Sequence, residues 1–150
     1  MNPNATVRPV RIDERSHWQR LWELYLDFYE SPDVATGSDS LWSRIVDPES
    51  PIRALVAELD GTIVGLVHFF PHESTWQDRP VCYLQDLYVD EGLRGQGIGE
   101  KLIDAVVEAA RAEGWANVYW QTAADNVTAR RLYDRLTGGF SGFLVYELDV

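Results

Sequence analysis

A glycine-rich turn follows an apolar run near the middle of this chain. The run, residues 82–89, is rich in apolar, aromatic and β-branched residues and predicts a strand. The turn reads Gly92-Leu93-Arg94-Gly95-Gln96-Gly97-Ile98-Gly99 and opens into a helical pattern. The first amides of a helix have no partner within it, the helix dipole favours negative charge there, and glycines let the backbone close around a ligand. The segment therefore predicts a phosphate site, with Arg94 supplying a cation at its rim.

Two helices are predicted from apolar residues that share one face. The helix after the turn is expected over residues 98–113. An earlier helix, over residues 17–30, carries an aromatic stripe that is more typical of a core than of a ligand site. The first face consists of Ile98, Leu102, Ala105, Val106, Ala109 and Ala110, and the stripe of Trp18, Leu21, Trp22, Tyr25 and Phe28.

Strands and shorter helices account for the rest of the chain. Asp60-Gly61 is a two-residue hairpin signal, and we expect Pro71 to end the second hairpin strand. Pro9 indicates an edge position or a bulge in the first strand. The element order predicts a mixed α/β sheet with a parallel crossover through the 98–113 helix. The predicted elements are strand 6–12, helix 17–30, helix 38–45, strands 52–58, 62–70 and 82–89, helix 98–113, strand 116–121, helix 126–136 and strand 143–148.

Length and composition predict one folded domain over residues 1–150. The chain is 45% apolar with six Trp, seven Tyr and five Phe, which excludes disorder. No apolar run approaches the roughly 20 residues that span a bilayer, and the N-terminus carries no secretory pattern. Cys82 is the single cysteine, so no internal disulfide is possible. We therefore expect a cytoplasmic protein without a membrane partner.

The net charge of −11 limits the choice of partner. It argues against nucleic acid, because binding a phosphate backbone requires a concentrated basic surface. It is compatible with a cationic substrate, although solubility alone explains the same charge.

Two nucleotide-binding folds also use glycine turns. A dinucleotide fingerprint needs Gly-x-Gly-x-x-Gly, but Glu100 stands where the third glycine is required. Methyltransferases use the Gly-x-Gly-x-Gly spacing found in this chain. They need several βα units after the turn, however, and only about 50 residues follow Gly99. Both alternatives are therefore disfavoured.

Two motifs occur in order along the chain. The central strand ends in Leu87-Tyr88-Val89, which leads to Arg94-Gly95-Gln96-Gly97-Ile98-Gly99 at the start of a helix. The pattern Asn-x-x-Ala-x-x-x-Tyr follows as Asn126, Ala129 and Tyr133. Both resemble motifs of the GNAT superfamily of acetyl-CoA-dependent N-acetyltransferases, whose signature is a strand ending in a hydrophobic-Tyr-Val sequence, then Arg/Gln-x-x-Gly-x-Gly/Ala at a helix start. The resemblance covers nearly the whole chain and implies the GNAT fold, a mostly antiparallel sheet with helices on both faces and a parallel strand pair splayed around acetyl-CoA.

A narrower resemblance is to the small fungal histone and polyamine acetyltransferases and their bacterial relatives. It is carried by Phe69-Phe70-Pro71-His72-Glu73-Ser74-Thr75-Trp76, by Leu87-Tyr88-Val89-Asp90-Glu91 and by Val118-Tyr119-Trp120. The diamine N-acetyltransferases are neighbours, with Leu-Glu-Asp-Ile-Tyr-Val where this chain has Leu84-Gln85-Asp86-Leu87-Tyr88-Val89.

The resemblance implies acetyl-CoA as co-substrate and no metal. Backbone amides of the turn would hold the CoA pyrophosphate, and backbone groups on either side of Tyr88 would bond the pantetheine arm. Asn126 would contact the cofactor arm, in a motif shared with Ala129, although Asn126 also suits a helix N-cap. The turn residues concerned are Arg94, Gly95, Gln96, Gly97, Ile98 and Gly99, and the strand residues are Leu87, Tyr88 and Val89.

The same resemblance makes Tyr133 the general acid, whose phenol would protonate the departing CoA thiolate. The general base stays open. The diamine enzymes carry Glu where this chain has Gln85, and an amide cannot accept the ammonium proton. The alternatives are Asp86 acting through water, His68, His72, Glu73, or water alone with Gln85 only positioning the amine. We place His72 first, because its loop would border the acceptor cleft.

In this family the acceptor site is built from the first helices and the loop before the central strand. These segments are acidic in this chain and would attract an ammonium group, so a polyamine or another small cationic amine is the favoured acceptor. A solvated acidic face explains the same residues about as well. Direct attack in a ternary complex is expected, because the single thiol, Cys82, lies at the start of its strand. The alternatives are an amino acid or a protein or histone lysine as acceptor, or a non-catalytic acyl-CoA-binding module. The residues of the acidic wall are Tyr25, Asp27, Glu30, Asp33, Asp39, Asp47 and Glu49.

The C-terminus departs from the family pattern. Most relatives have two strands after the late helix, whereas residues 137–150 have room for one. This would leave a sheet edge uncovered. We therefore predict a homodimer in which strand 143–148 pairs with, or swaps into, the partner.

Overall fold

A five-stranded sheet forms the centre of the computed structural model, which describes residues 4–150. The strands lie in sequence order across the sheet. Neighbours are antiparallel from the first strand to the fourth, and the last pair is parallel. The predicted mixed, mostly antiparallel α/β sheet with one parallel pair is therefore confirmed. The strands are β1 (Thr6–Pro9), β2 (Arg53–Leu59), β3 (Thr62–His72), β4 (Val81–Val89) and β5 (Val118–Tyr119).

The described residues also form four α-helices, namely α1 (Arg15–Phe28), α2 (Ser38–Val46), α3 (Ile98–Glu113) and α4 (Val127–Thr137). The sequence predicts α3 with the same bounds. Gly97 and Gly114 flank it with φ of 83° and 75°, a left-handed conformation that glycine adopts at little cost. Glycine therefore fixes both the turn before α3 and the end of the helix.

Helices α1 and α3 pack on opposite faces of β3. Leu66 belongs to the core under α1, whereas a Cβ placed on Gly65 would lie 3.1 Å from Leu102 of α3. Successive strand residues point to opposite faces, so the sheet is covered on both sides. The buried core under α1 consists of Trp18, Leu21, Trp22, Leu26, Trp42, Val56, Ile63, Leu66 and Tyr88.

The aromatic stripe of α1 is only partly core. Trp18 and Trp22 are buried as predicted, but Tyr25 is half-buried and Phe28 is 53% exposed. The last turn of α1 therefore carries aromatic rings to the protein surface.

Strand β3 is longer than predicted, and the expectation that Pro71 ends it is wrong. Pairing with β2 stops at Phe69, whereas Pro71 still pairs with Cys82 of β4. On the β2 side, no strand of the described sheet lies beside Pro71. A missing N–H is tolerated at such an edge, so the strand continues to His72.

Two predicted strands at the end of the chain differ from the structure. Strand β5 spans Val118–Tyr119 rather than residues 116–121, and residues 143–148 form no strand. A strand requires hydrogen-bonding partners, and residues 4–150 of a single chain supply none to this segment. Its apolar side chains are 66–89% exposed, namely Phe143, Leu144, Val145, Tyr146 and Leu148.

The chain divides into two compact units. The first ends at Trp120 and contains the sheet and helices α1 to α3, and the second, Gln121–Val150, contains α4. A single domain over residues 1–150 stays a prediction, and its residues 1–3 lie outside the described part. No helix in the described part is long and apolar enough to cross a membrane.

The close approach at Gly65 makes a stability prediction. The added methyl group of Gly65→Ala would lie 3.1 Å from Leu102 Cδ1 and 3.2 Å from the Tyr88 carbonyl oxygen. Such overpacking costs about 1–3 kcal/mol, so we expect a lower free energy of unfolding in urea titrations. Gly37→Ala is the control, since no heavy atom lies within 4 Å of its added methyl group. Equal stability of the two variants would contradict the packing at Gly65.

Candidate active site

Strands β4 and β5 separate soon after they meet. They pair at two positions, Cys82 with Val118 and Tyr83 with Tyr119. Farther along, residues 84–89 of β4 have no strand on the β5 side within the described sheet. A free strand edge can bond an extended ligand through backbone groups, as an added strand would. Leu87 and Val89 therefore lie on an edge that suits the predicted pantetheine contacts, which stay a prediction.

A β-bulge interrupts β4 at Gln85. The register passes from the His68–Asp86 pair to the Phe69–Leu84 pair, which leaves Gln85 without a β3 partner. Gln85 is exposed, whereas the Asp86 side chain is only 13% exposed. Bulges re-aim side chains near functional sites, and this one separates an exposed amide from a largely buried carboxylate.

A buried histidine holds the Asp86 carboxylate. His68 Nδ1 lies 2.9 Å from Asp86 Oδ2, and Trp18 Nε1 donates to His68 Nε2 over 2.9 Å. An indole N–H can only donate, so Nε2 is the acceptor and the ring proton sits on Nδ1. His68 is therefore a neutral core histidine that donates to Asp86. Because its basic nitrogen is already bonded, it cannot serve as the general base while this arrangement holds.

Three tyrosines share the surroundings of Asp86. Burial, and then the charge of Asp86, raise the pKa of Tyr25, Tyr29 and Tyr83. Tyr25 also hydrogen bonds to the carboxylate. The rings of Tyr25 and Tyr29 are 4.8 Å apart, and Tyr29 is 44% exposed. The raised pKa values keep all three phenols neutral near pH 7, so Asp86 faces aromatic rings and O–H groups.

His72 has a different set of partners. Its Nδ1 lies 2.7 Å from the Glu73 carbonyl oxygen, which can only accept, so Nδ1 carries the proton. Nε2 therefore accepts from the Tyr119 hydroxyl group, also at 2.7 Å. Tyr119 in turn stacks on Tyr83 with ring centroids 5.0 Å apart. The basic nitrogen of His72 thus reaches the end of the parallel strand pair through one phenol.

The glycine turn precedes α3 as the sequence predicts. Gly95 and Gly97 have φ of 76° and 83°, so both require glycine. A Cβ on Gly99 would lie 3.9 Å from Val89 Cγ2, an ordinary contact, so packing within the chain does not require glycine at this position. Within residues 4–150, the amides of Gly95, Gly97, Ile98 and Gly99 donate to no backbone carbonyl group. The turn therefore fits a phosphate group held by backbone amides, although that role stays a prediction.

The Arg94 side chain has partners outside this turn, and its role as a cation at the rim stays a prediction. Its amide donates to the Glu91 carbonyl, and its Nε donates to the Val89 carbonyl over 3.0 Å. The guanidinium carbon lies 5.2 Å from the Tyr88 ring centroid and 5.3 Å from that of Phe28. The Arg94 side chain thus packs towards the end of α1.

Cys82 is buried at the start of the parallel pair. Burial raises the pKa of its thiol to about 11. The side chain is therefore a neutral thiol near pH 7 rather than a nucleophilic thiolate.

The second unit carries the late motif on α4. Asn126 is the N-cap, and its side chain accepts from the Ala129 amide over 3.4 Å. The helix-capping alternative for Asn126 is therefore present, and contact with a cofactor stays a prediction. Tyr133 lies in the same helix, where its carbonyl accepts from the Thr137 hydroxyl group over 2.8 Å. Its role as general acid also stays a prediction.

The sequence did not predict the hydrogen bonds that link Trp18 to His68 and His68 to Asp86. These residues are distant in the chain and meet only in the folded sheet. One signal was present, since a histidine among apolar strand residues needs hydrogen-bonding partners once it is buried. Nothing in the sequence marked Tyr29, Tyr83 and Tyr119 as neighbours of the site, because isolated aromatic residues carry no spacing that marks function.

Comparison with known proteins assigns the chain to a family. The profile of the Acetyltransferase (GNAT) family matches residues 18–138. The chain is 32% identical over 141 residues to the D-amino-acid N-acetyltransferase HPA3 of Saccharomyces cerevisiae, covering 91% of this chain and 86% of that protein. It is 38% identical over 74 residues to the thialysine N-epsilon-acetyltransferase of Bos taurus, covering 49% and 43%.

A solved structure supports the fold. The aminoglycoside N-acetyltransferase AAC(6')-Iy, determined in complex with CoA, superposes with a TM-score of 0.82 at 16% identity, covering 97% of this chain and 94% of that one. At this identity the likeness establishes the fold alone. With the family profile, which spans both compact units, it shows that the chain belongs to the GNAT family of N-acetyltransferases.

Proposed function

We propose that this enzyme transfers an acetyl group from acetyl-CoA to a primary amine, with a polyamine or another small cationic amine as acceptor. The observation that carries the proposal is the open edge of β4, which leads into the glycine turn at the start of α3. Acetyl-CoA supplies the acetyl group as an activated thioester. Backbone groups of Leu87 and Val89 would hold the pantetheine arm, and the amides of residues 95–99 the pyrophosphate.

The reaction proceeds by direct attack in a ternary complex. The amine nitrogen forms a bond to the acetyl carbon, the carbon–sulfur bond breaks, and Tyr133 gives its phenolic proton to the departing sulfur. His72 is the base and acts through Tyr119. The Tyr119 hydroxyl oxygen accepts a proton from the amine, and its own proton passes to Nε2 of His72. The buried neutral thiol of Cys82 supports a route without an acyl-enzyme. We also propose that the enzyme acts in the cytoplasm, where a lone cysteine stays reduced.

The acid and base assignments predict two separable defects. Tyr133→Phe is expected to lower kcat at least tenfold without changing the KM for acetyl-CoA more than twofold, because a positioned acid contributes roughly 10²–10⁴-fold. His72→Gln is expected to lower kcat near neutral pH. The loss should be smaller at high pH, where the amine is already deprotonated. Steady-state CoA release between pH 6 and 9.5 measures both.

Tyr146→Phe is the control for the first variant, since it removes the same hydroxyl group from an 89% exposed side chain. Wild-type kcat in Tyr133→Phe would exclude this tyrosine as the acid. A pH profile of His72→Gln parallel to that of the wild type would exclude His72 as the base.

An amino acid is the second candidate acceptor, favoured by the position of Arg94. Its guanidinium group packs on Phe28 and Tyr88. Its charge partly offsets the rise in the pKa of Tyr29 that burial, and then the Asp86 carboxylate, cause. A carboxylate on the acceptor would therefore find a cation near the tyrosines that surround Asp86. The yeast relative at 32% identity, named as a D-amino-acid N-acetyltransferase, agrees with this alternative.

Lysine and 1,5-diaminopentane separate the two acceptor classes, because they differ only in the carboxylate. We expect kcat/KM for the diamine to exceed that for either enantiomer of lysine at least tenfold. Arg94→Gln is expected to leave this ratio within twofold. A wild-type preference for lysine that disappears in Arg94→Gln would establish the amino-acid acceptor instead.

We further propose a homodimer built through residues 143–148, whose apolar side chains are exposed in the single chain. Pairing with a sheet edge of the partner would give this segment the hydrogen bonds that a strand needs. Light scattering should give twice the mass of 17.1 kDa at micromolar concentration. Val145→Pro should shift the protein towards monomer, whereas Val145→Ala keeps the backbone N–H and should not. A monomer mass at all concentrations would refute the dimer.

A further inference from the structure

Asp86 is an acidic residue outside the predicted acidic wall, and its carboxylate is held in place by a neighbouring side chain. Most acids of that wall, including Asp27 and Asp33, are exposed, and water and salt screen such charges strongly. The Asp86 side chain is 13% exposed and is fixed by the bond from His68 Nδ1. A carboxylate with so little water around it interacts more strongly with a cation that reaches it.

The hydrogen-bond chain behind Asp86 has a fixed direction. Trp18 donates to His68, and His68 donates to Asp86, each over 2.9 Å. His68 is 2% exposed and Trp18 is fully buried, so water does not compete for these bonds. Every donor in this hydrogen-bond network points towards the carboxylate, which fixes its orientation. His68 and Tyr25 both bond to the carboxylate, and its two oxygens together keep further acceptor capacity.

The groups around that remaining capacity suit an ammonium ion. Tyr25 and Tyr29 form a tilted aromatic pair with ring centroids 4.8 Å apart, and the half-buried Tyr83 of β4 also lies in the electrostatic surroundings of Asp86. Aromatic faces attract cations, and the attraction grows when water is excluded. The exposed ring of Tyr29 leaves the group accessible from solvent. The bulge at Gln85 puts Asp86 beside the open edge of β4, along which the pantetheine arm is proposed to lie.

We propose that the acceptor's ammonium group binds Asp86 between the rings of Tyr25, Tyr29 and Tyr83, and that Trp18 and His68 are positioning residues that orient this carboxylate. The inference rests on the proposed transfer to an amine and identifies the residues that select the acceptor. Under this proposal, acceptor binding depends on the carboxylate of Asp86, which His68 fixes in place, rather than on the overall acidity of the surface.

Asp86→Asn tests the inference with 1,4-diaminobutane as the probe. The variant keeps the shape of the side chain and removes its charge. We expect the KM for the diamine to rise at least tenfold, with the KM for acetyl-CoA within twofold of wild type. Asp104→Asn, which removes an exposed carboxylate from α3, is the control and should change the diamine KM less than twofold at 0.15 M salt. Equal effects of the two variants would show that only general electrostatic attraction operates.

Tyr29→Leu removes an exposed ring with little risk to folding and provides a second test of the ammonium site. A cation–π contact at such a position predicts a twofold to fivefold weaker affinity for the diamine. An unchanged affinity would remove Tyr29 from the site. If Asp86→Asn does not fold, this variant still decides whether the ammonium group binds at this place.

A pair of variants separates positioning by His68 from simple packing. His68→Asn retains an N–H near the position of Nδ1, whereas His68→Leu fills space without a donor. We expect the diamine KM to rise at least fivefold in His68→Leu and to stay within threefold of wild type in His68→Asn, with kcat similar in both. The same KM in both variants would mean that His68 only fills the core.

Binding measured without turnover separates this inference from the proposed function. Calorimetric titration of 1,4-diaminobutane into the protein saturated with CoA requires no chemistry. Binding that Asp86→Asn abolishes, in a protein that acetylates no amine, would keep the ammonium site and refute the transfer to amines. Acetylation of the diamine with wild-type affinity in Asp86→Asn would refute the site and leave the transfer intact.

Discussion

The separation of β4 from β5 is the constraint on which the candidate site depends. The two strands pair at two positions only, and the edge of β4 beyond Tyr83 is left to other partners. Backbone N–H and C=O groups at such an edge must bond something, either water or an extended ligand. Because the edge ends at the glycine turn before α3, one molecule with an extended arm and a phosphate can satisfy both.

A second feature of β4, its bulge, explains why a carboxylate can be kept beside the site. The bulge at Gln85 turns Asp86 towards the core under α1, where Trp18 and His68 already need partners. Burying an ionised group is costly unless it is hydrogen-bonded, and His68 supplies that bond. The held charge lies at the edge of the core rather than on the acidic surface, so the net charge of −11 is a poor guide to where a cation binds.

Local signals predicted most of the fold, and the errors lie where a partner decides the structure. Helix α3 is bounded by two left-handed glycines and the hairpin by Asp60-Gly61, so each is encoded in a few residues. The strand expected at 143–148 has the composition of a strand but no partner in the described chain. Strand β5 is short because β4 separates from it soon after the two strands meet. The glycine turn was likewise predictable, whereas the His68–Asp86 bond depends on the register of two strands.

The two histidines of β3 show how partners set chemical roles. His68 and His72 have the same imidazole group, and in each the proton sits on Nδ1, facing an oxygen that accepts it. The difference lies at Nε2. His68 accepts there from an indole, which can donate but never accept, so no proton can enter by that route. His72 accepts from the phenol of Tyr119, which donates and accepts at once and can therefore pass a proton on. The first arrangement can only orient a charge, and the second can move a proton.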